Sequence, residues 1–121
     1  MLQNARIVIA DDHPLVRGAL REAVSGAVAG AEIVECGDLN QLTTALDESG
    51  EADLVLLDLA MPGVRGFTHL RYLRAQHPDV PVVVVSGNED RDVIRRCIDF
   101  GASGYVPKTT DIVGMRQAFR D

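Results

Sequence analysis

Five side chains in this sequence stand at the ends of short apolar runs, where chemistry is easily assembled. Asp11 and Asp12 follow Ile7 to Ala10, Asp58 follows Leu54 to Leu57, Ser86 follows Val82 to Val85, and Lys108 comes just after Gly104 to Val106. Three carboxylates brought together repel one another unless a cation neutralises them. A hard divalent ion suits such a set. Magnesium takes few oxygen ligands from a protein and keeps its other positions for water or phosphate, whereas calcium wants about six to eight oxygens. Lys108 offers a point charge to an anion held beside the metal, and the Ser86 hydroxyl can donate a hydrogen bond to the same group. These parts could support phosphoryl transfer onto a carboxylate. Asp58, standing alone, is then the in-line nucleophile, and the Asp11–Asp12 pair holds the ion.

For these residues to meet, the apolar runs must be neighbouring strands. Five runs of strand length recur: Ile7 to Ala10, Glu32 to Cys36, Leu54 to Leu57, Val82 to Val85 and Gly104 to Val106. Between them lie segments with helical spacing. The first carries Leu15, Ala19, Leu20, Ala23 and Val24 on one face; the others are Leu39 to Ser49, Phe67 to Gln76, Val93 to Phe100 and Ile112 to Phe119. Strand then helix, five times over, with nearly all-apolar strands, predicts burial on both sheet faces. The fold class is α/β: a doubly wound five-stranded parallel sheet, (βα)5 and flavodoxin-like, with strand order 2-1-3-4-5. Ligands in such folds gather at the carboxyl ends of the strands. Punctuation agrees with these boundaries: Pro14 follows an expected Asp12 cap, Pro62 and Gly63 break the third loop, and Gly101 to Gly104 closes the fourth helix.

Composition narrows the function classes. The 121 residues carry 12 basic and 18 acidic side chains, a net charge of -6. That balance weighs against direct nucleic-acid binding, which needs a basic face to displace counterions from phosphates. Eleven of the twelve basic residues are arginine, so Lys108 is the sole lysine. The most apolar stretch, Val80 to Val85, is far short of the roughly 20 residues of a membrane span, and the polar N-terminus lacks signal-peptide features, so the expected location is the cytoplasm. Cys36 and Cys97 have no metal-ligand spacing and read as buried or idle thiols.

The chain resembles a receiver (CheY-like) domain of bacterial two-component response regulators over essentially all 121 positions. Five separated elements carry the resemblance: Ile7-Val8-Ile9-Ala10-Asp11-Asp12, Leu56-Leu57-Asp58-Leu59-Ala60-Met61-Pro62-Gly63, Val85-Ser86-Gly87, Gly101-Ala102-Ser103-Gly104-Tyr105, and Lys108. The resemblance implies one receiver domain over residues 1–121, with Asp58 accepting a phosphoryl group from a sensor histidine kinase. It implies Mg2+ held by Asp11, Asp12, Asp58 and the backbone carbonyl of Ala60, with Lys108 on the phosphoryl group. Ser86 would swing toward the phosphate, and Tyr105 would turn inward behind it, changing the surface of the fourth helix, fifth strand and fifth helix. Such a domain is not an enzyme beyond its own phosphorylation and dephosphorylation. The Asp-Asp-His-Pro-Leu-Val-Arg segment from Asp11 further resembles the NarL/LuxR group, whose members regulate transcription through a C-terminal helix-turn-helix. That output domain is absent from this chain, and a homodimer formed on phosphorylation is left open. One departure stands out: the family often has proline directly after the lysine, but here Pro107 precedes Lys108 and Thr109 follows it.

Three other functions compete. A haloacid-dehalogenase-type phosphatase wants a second acid two residues after the nucleophile, where this chain has Ala60. A flavodoxin-like cofactor binder wants a phosphate cradle after the first strand, and two acids there would repel it. A phosphorylation-independent pseudo-receiver would have no need for the intact acid, hydroxyl and lysine set. Bland readings exist too. Asp12 alone could serve only as a helix cap, Tyr105 could be a half-buried sheet-edge residue, and His13, His69 and His77 read as surface or loop residues, with His13 the one that could approach the site.

Overall fold

Strands rich in valine, isoleucine and leucine, each flanked by a turn, form one sheet in the computed structural model, which describes residues 5–28, 30–48, 52–59, 67–87 and 90–107. In chain order the elements are β1 (Arg6–Ala10), α1 (Pro14–Ala27), β2 (Glu32–Cys36), α2 (Leu39–Glu48), β3 (Leu54–Leu57), α3 (Thr68–Gln76), β4 (Val82–Ser86), α4 (Arg91–Asp99) and β5 (Gly104–Pro107). All pairings are parallel and the order is β2-β1-β3-β4-β5, as the sequence predicts. The expected helix Ile112 to Phe119 lies outside the described residues.

The pleat divides the core in two. Val8, Ala10, Val55, Leu57, Val82 and Val84 face one layer, where α2, α3 and α4 contribute Leu42, Leu46, Leu70, Leu73 and Cys97. Ile7, Ile9, Leu56, Val85 and Val106 face the other, against Leu20, Ala23 and Val24 of α1. Two expectations need correction. Leu15 is 90% exposed; it stands about 100° around the helix from Val16, which packs on the core in its place. Strand β2 is not buried on both faces: as an edge strand it exposes Glu32 and Glu35, and Glu35 takes ion pairs from Arg17 at 3.2 Å and Arg21 at 2.8 Å.

Helix starts were harder to read. Helix α4 begins at Arg91 because Asp90 caps it, accepting from the Asp92 N–H at 2.8 Å. Helix α2 is preceded by a reciprocal pair of bonds: Asp38 accepts from the Gln41 N–H at 2.8 Å while Gln41 Oε1 accepts from the Gly37 N–H at 2.6 Å.

Helices α3 and α4 are joined by stacked rings and guanidinium groups. Phe67 and Phe100 lie 5.2 Å apart, Arg71 stands over Phe100 at 5.3 Å, and Arg96 stands over Phe67 at 5.6 Å. At the sheet end opposite the acids, Arg74 donates to the carbonyls of Pro78 and Val80. Its stem lies against Gly101, whose φ is 104° and where an added Cβ would come within 3.1 Å of Arg74 Cγ.

His69 on α3 is half-buried, and its Nδ1 is buried with no hydrogen-bond partner among the described residues. Burial pushes the imidazole below its usual value. The unfolded chain therefore takes up a proton as pH falls through about 6.5 while the folded chain resists it. Stability that is full above that pH is lost as pH drops toward the lowered folded value. The melting temperature of His69→Leu should fall less steeply than that of the wild type between about pH 6.5 and pH 5. Parallel curves would show that another group sets the acid limb.

Candidate metal and acceptor site

The parallel ladder carries the site residues to one edge. Ala10 stands opposite both Cys36 and Leu57, and Leu57 opposite Val84. Pairing continues one residue further: the Asp11 N–H donates to the Cys36 carbonyl at 2.9 Å, and the Asp58 N–H donates to the Ala10 carbonyl at 2.9 Å. Both aspartate backbones are thus fixed by the sheet itself. Ser86 ends β4 opposite Pro107 of β5, and Tyr105, opposite Val84, is half-buried.

Asp11, Asp58 and Ser86 are all buried, with exposures of 0%, 1% and 5%. One ligand atom each from Asp11, Asp12, His13 and Asp58 can be chosen so that all lie within 4.8 Å of one another. Burying carboxylates beside one another in an apolar setting is unfavourable unless something positive joins them. The buried Oδ1 of Asp12 makes no hydrogen bond among the described residues. Oxygen donors gathered in this way fit a hard divalent cation. Nearby, Arg17 Nη1 donates to the Asp11 carbonyl oxygen at 2.8 Å, tying α1 to the same loop.

The structure therefore brings Asp11, Asp12, Asp58 and Ser86 to the carboxyl edge, with Tyr105 on β5. Lys108 and Ala60 lie outside the described residues. Two readings change. Asp12 does not cap α1: the cap position is His13, with no side-chain cap bond, and Pro14 opens the helix. His13 is exposed as expected, yet it belongs to the cluster. Its N–H donates to Asp11 Oδ1 at 2.8 Å, and its Nδ1 lies 3.3 Å from Asp11 Oδ1 and 3.1 Å from Asp12 Oδ1. The signal for this was the Asp-x-His spacing, since an aspartate accepting from the N–H two residues on folds the intervening loop back on itself. Cys36 and Cys97 are free and buried, and burial pushes both thiols up, away from the nucleophilic thiolate form. A cavity of about 420 Å³ lies elsewhere, between β2 and α2, lined by Arg6, Cys36 and Thr44 among others.

Comparison with known proteins agrees with this geometry. The family model described as the response regulator receiver domain matches residues 7–120. The glycerol metabolism activator of Pseudomonas putida is 39% identical over 105 residues, covering 87% of this chain and 48% of that protein. Response regulator GacA of Pseudomonas aeruginosa is 32% identical over 115 residues, covering 95% and 53%. The chain thus spans about half the length of these curated relatives. Among solved structures, the signal receiver domain of NarL from Mycobacterium tuberculosis superposes with a TM-score of 0.80 at 26% identity, covering 96% of this chain and 93% of that one. The isolated receiver domain of RcsB from Salmonella enterica, solved with the phosphomimetic BeF3-, has a TM-score of 0.84 at 24% identity and is alike in fold.

Proposed function

Because this chain belongs to the response regulator receiver domain family, we propose that it is a phosphoacceptor switch of a two-component system, with Asp58 as the acceptor. The observation that supports this most is the pair of buried carboxylates, Asp11 and Asp58, fixed by the ladder and joined by Asp12 at one sheet edge. An Asp58 carboxylate oxygen attacks the phosphorus of a phosphohistidine on a sensor histidine kinase. The P–O bond forms as the P–N bond breaks, and the imidazole nitrogen leaves with the electron pair and takes a proton from solvent. Asp11, Asp12, Asp58 and the Ala60 carbonyl hold Mg2+. Bound there, the ion supplies positive charge to the phosphoryl oxygens. Ser86 donates a hydrogen bond to the transferred group and Lys108 pairs with it.

The new charge is then read at the surface of α4, β5 and the segment after it, as Ser86 moves toward the phosphate and Tyr105 turns inward. The relatives named activator and response regulator support a regulatory output; the proposed route is transcription through a C-terminal helix-turn-helix of the NarL/LuxR type, in the cytoplasm, with a homodimer forming on phosphorylation. The test is incubation with acetyl phosphate and Mg2+ followed by intact mass measurement. One added phosphoryl group, absent when the metal is chelated, is the expected result. An unchanged mass in the presence of Mg2+ would leave a phosphorylation-independent interaction module as the better reading.

A further inference from the structure

The metal site has one more donor than its acids supply. Resting on the reading that Asp11, Asp12 and Asp58 hold a divalent cation, we propose that His13 Nδ1 is a further protein ligand of that cation and tunes the site toward Mn2+ over Mg2+.

The geometry carries this. Adjacent ligands around an octahedral ion, at about 2.1 Å from the metal, stand roughly 3.0 Å apart. Nδ1 of His13 lies 3.1 Å from Asp12 Oδ1 and 3.3 Å from Asp11 Oδ1, so it stands from each oxygen about as far as neighbouring ligands on one ion stand from each other. A hydrogen on Nδ1 serves only one of those oxygens: the ring bonds Asp11 Oδ1, while Asp12 Oδ1 stays buried without a hydrogen bond among the described residues despite its nearness. A cation shared among the three would satisfy all of them.

The backbone that carries the ring is also held in place. Pro14 biases the residue before it to extended backbone, and His13 has φ -96° and ψ 110°. Its N–H is fixed on Asp11 Oδ1 at 2.8 Å. At the cap position its side chain makes no cap bond. Its 60% exposed side chain leaves the far ring nitrogen to water, as a metal-bound imidazole allows.

The chemical consequence is selectivity. Mg2+ prefers an all-oxygen shell, whereas imidazole nitrogen suits first-row transition ions, among which Mn2+ still accepts carboxylates. The test uses the whole chain with Mn2+ as the probe. Pulsed EPR of the bound ion should show the coupling of a directly ligated 14N nucleus, and the free-ion signal gives the affinity. In His13→Gln the nitrogen coupling should vanish and Mn2+ affinity should fall by roughly tenfold or more. Mg2+ affinity, measured by competition, should change by less than about twofold. His13→Asn serves as a second variant, and a circular dichroism melt of each verifies folding. Mn2+ bound with no nitrogen coupling in the wild type, or coupling that persists in both variants, would overturn the role of His13 while leaving the acid site standing. A wild-type chain that binds no Mn2+ would overturn both.

Discussion

Asp58→Asn, incubated with acetyl phosphate and Mg2+, should gain no phosphoryl group under conditions that label the wild type fully, and in metal-free buffer it should melt higher. The first result follows from the position of the proposed acceptor. Asp58 follows the central strand directly, with its N–H on the Ala10 carbonyl and its side chain 99% buried among other acids. An amide there keeps the shape and removes the nucleophile, and labelling should drop by roughly a thousandfold or more. The second result follows from charge. Two fully buried carboxylates and a third close by destabilise the chain that holds them. Removing one should raise the melting temperature by about 3–6 °C, a gain in stability at the expense of function. Mg2+ should then raise the melting point of the wild type and leave the variant nearly unmoved. Labelling of the variant equal to wild type would move the acceptor elsewhere. A lower melting point would show that the Asp58 carboxylate makes hydrogen bonds worth more than the repulsion.

The second large effect is expected one residue earlier. Leu57 is fully buried in the layer under α2, α3 and α4, opposite Ala10 on one side and Val84 on the other. Truncation to alanine leaves a void between two tight ladders that have little room to collapse, and should cost about 3–5 kcal/mol. Against a total of about 5–15 kcal/mol for a domain, that is a large share. Urea unfolding should show a much lower midpoint with an unchanged slope. Leu15→Ala is the matched comparison: the same truncation at a residue 90% exposed should stay within about 0.5 kcal/mol. Equal losses at the two positions would mean that exposure in this structure is a poor guide to energy.

These two leucines show what could be read from residue order. All five strands were legible within a residue or two because β1, β3 and β4 are compact runs of Val, Ile or Leu and β2 and β5 are short β-forming runs bounded by turns, and the order of alternating elements then permitted few topologies. The acids were legible because they interrupt apolar runs at a fixed place. Leu15 was misread because helical spacing identifies a stripe only to within one residue on either side, and only packing decides which flank is buried. The polar faces of β2 depend on its being an edge, which is a property of the whole sheet. The Asp90 cap of α4 and the entry of His13 into the acid cluster depend on loop dihedrals, which periodicity does not report.

Arg74 gives the far end of the sheet a property that the acid end lacks. It clamps the turn before β4 and abuts Gly101, two residues after α4. Helix α4 therefore has its C-terminal end beside the Arg74 clamp, while its N-terminal end, capped by Asp90, lies toward the edge where Ser86 ends β4. With nine residues at about 1.5 Å each, a tilt of about five degrees about that C-terminal end would move the N-terminal end by about 1 Å. An arginine at the opposite end of the sheet from the acids thus fixes the end of α4 about which such a tilt would turn.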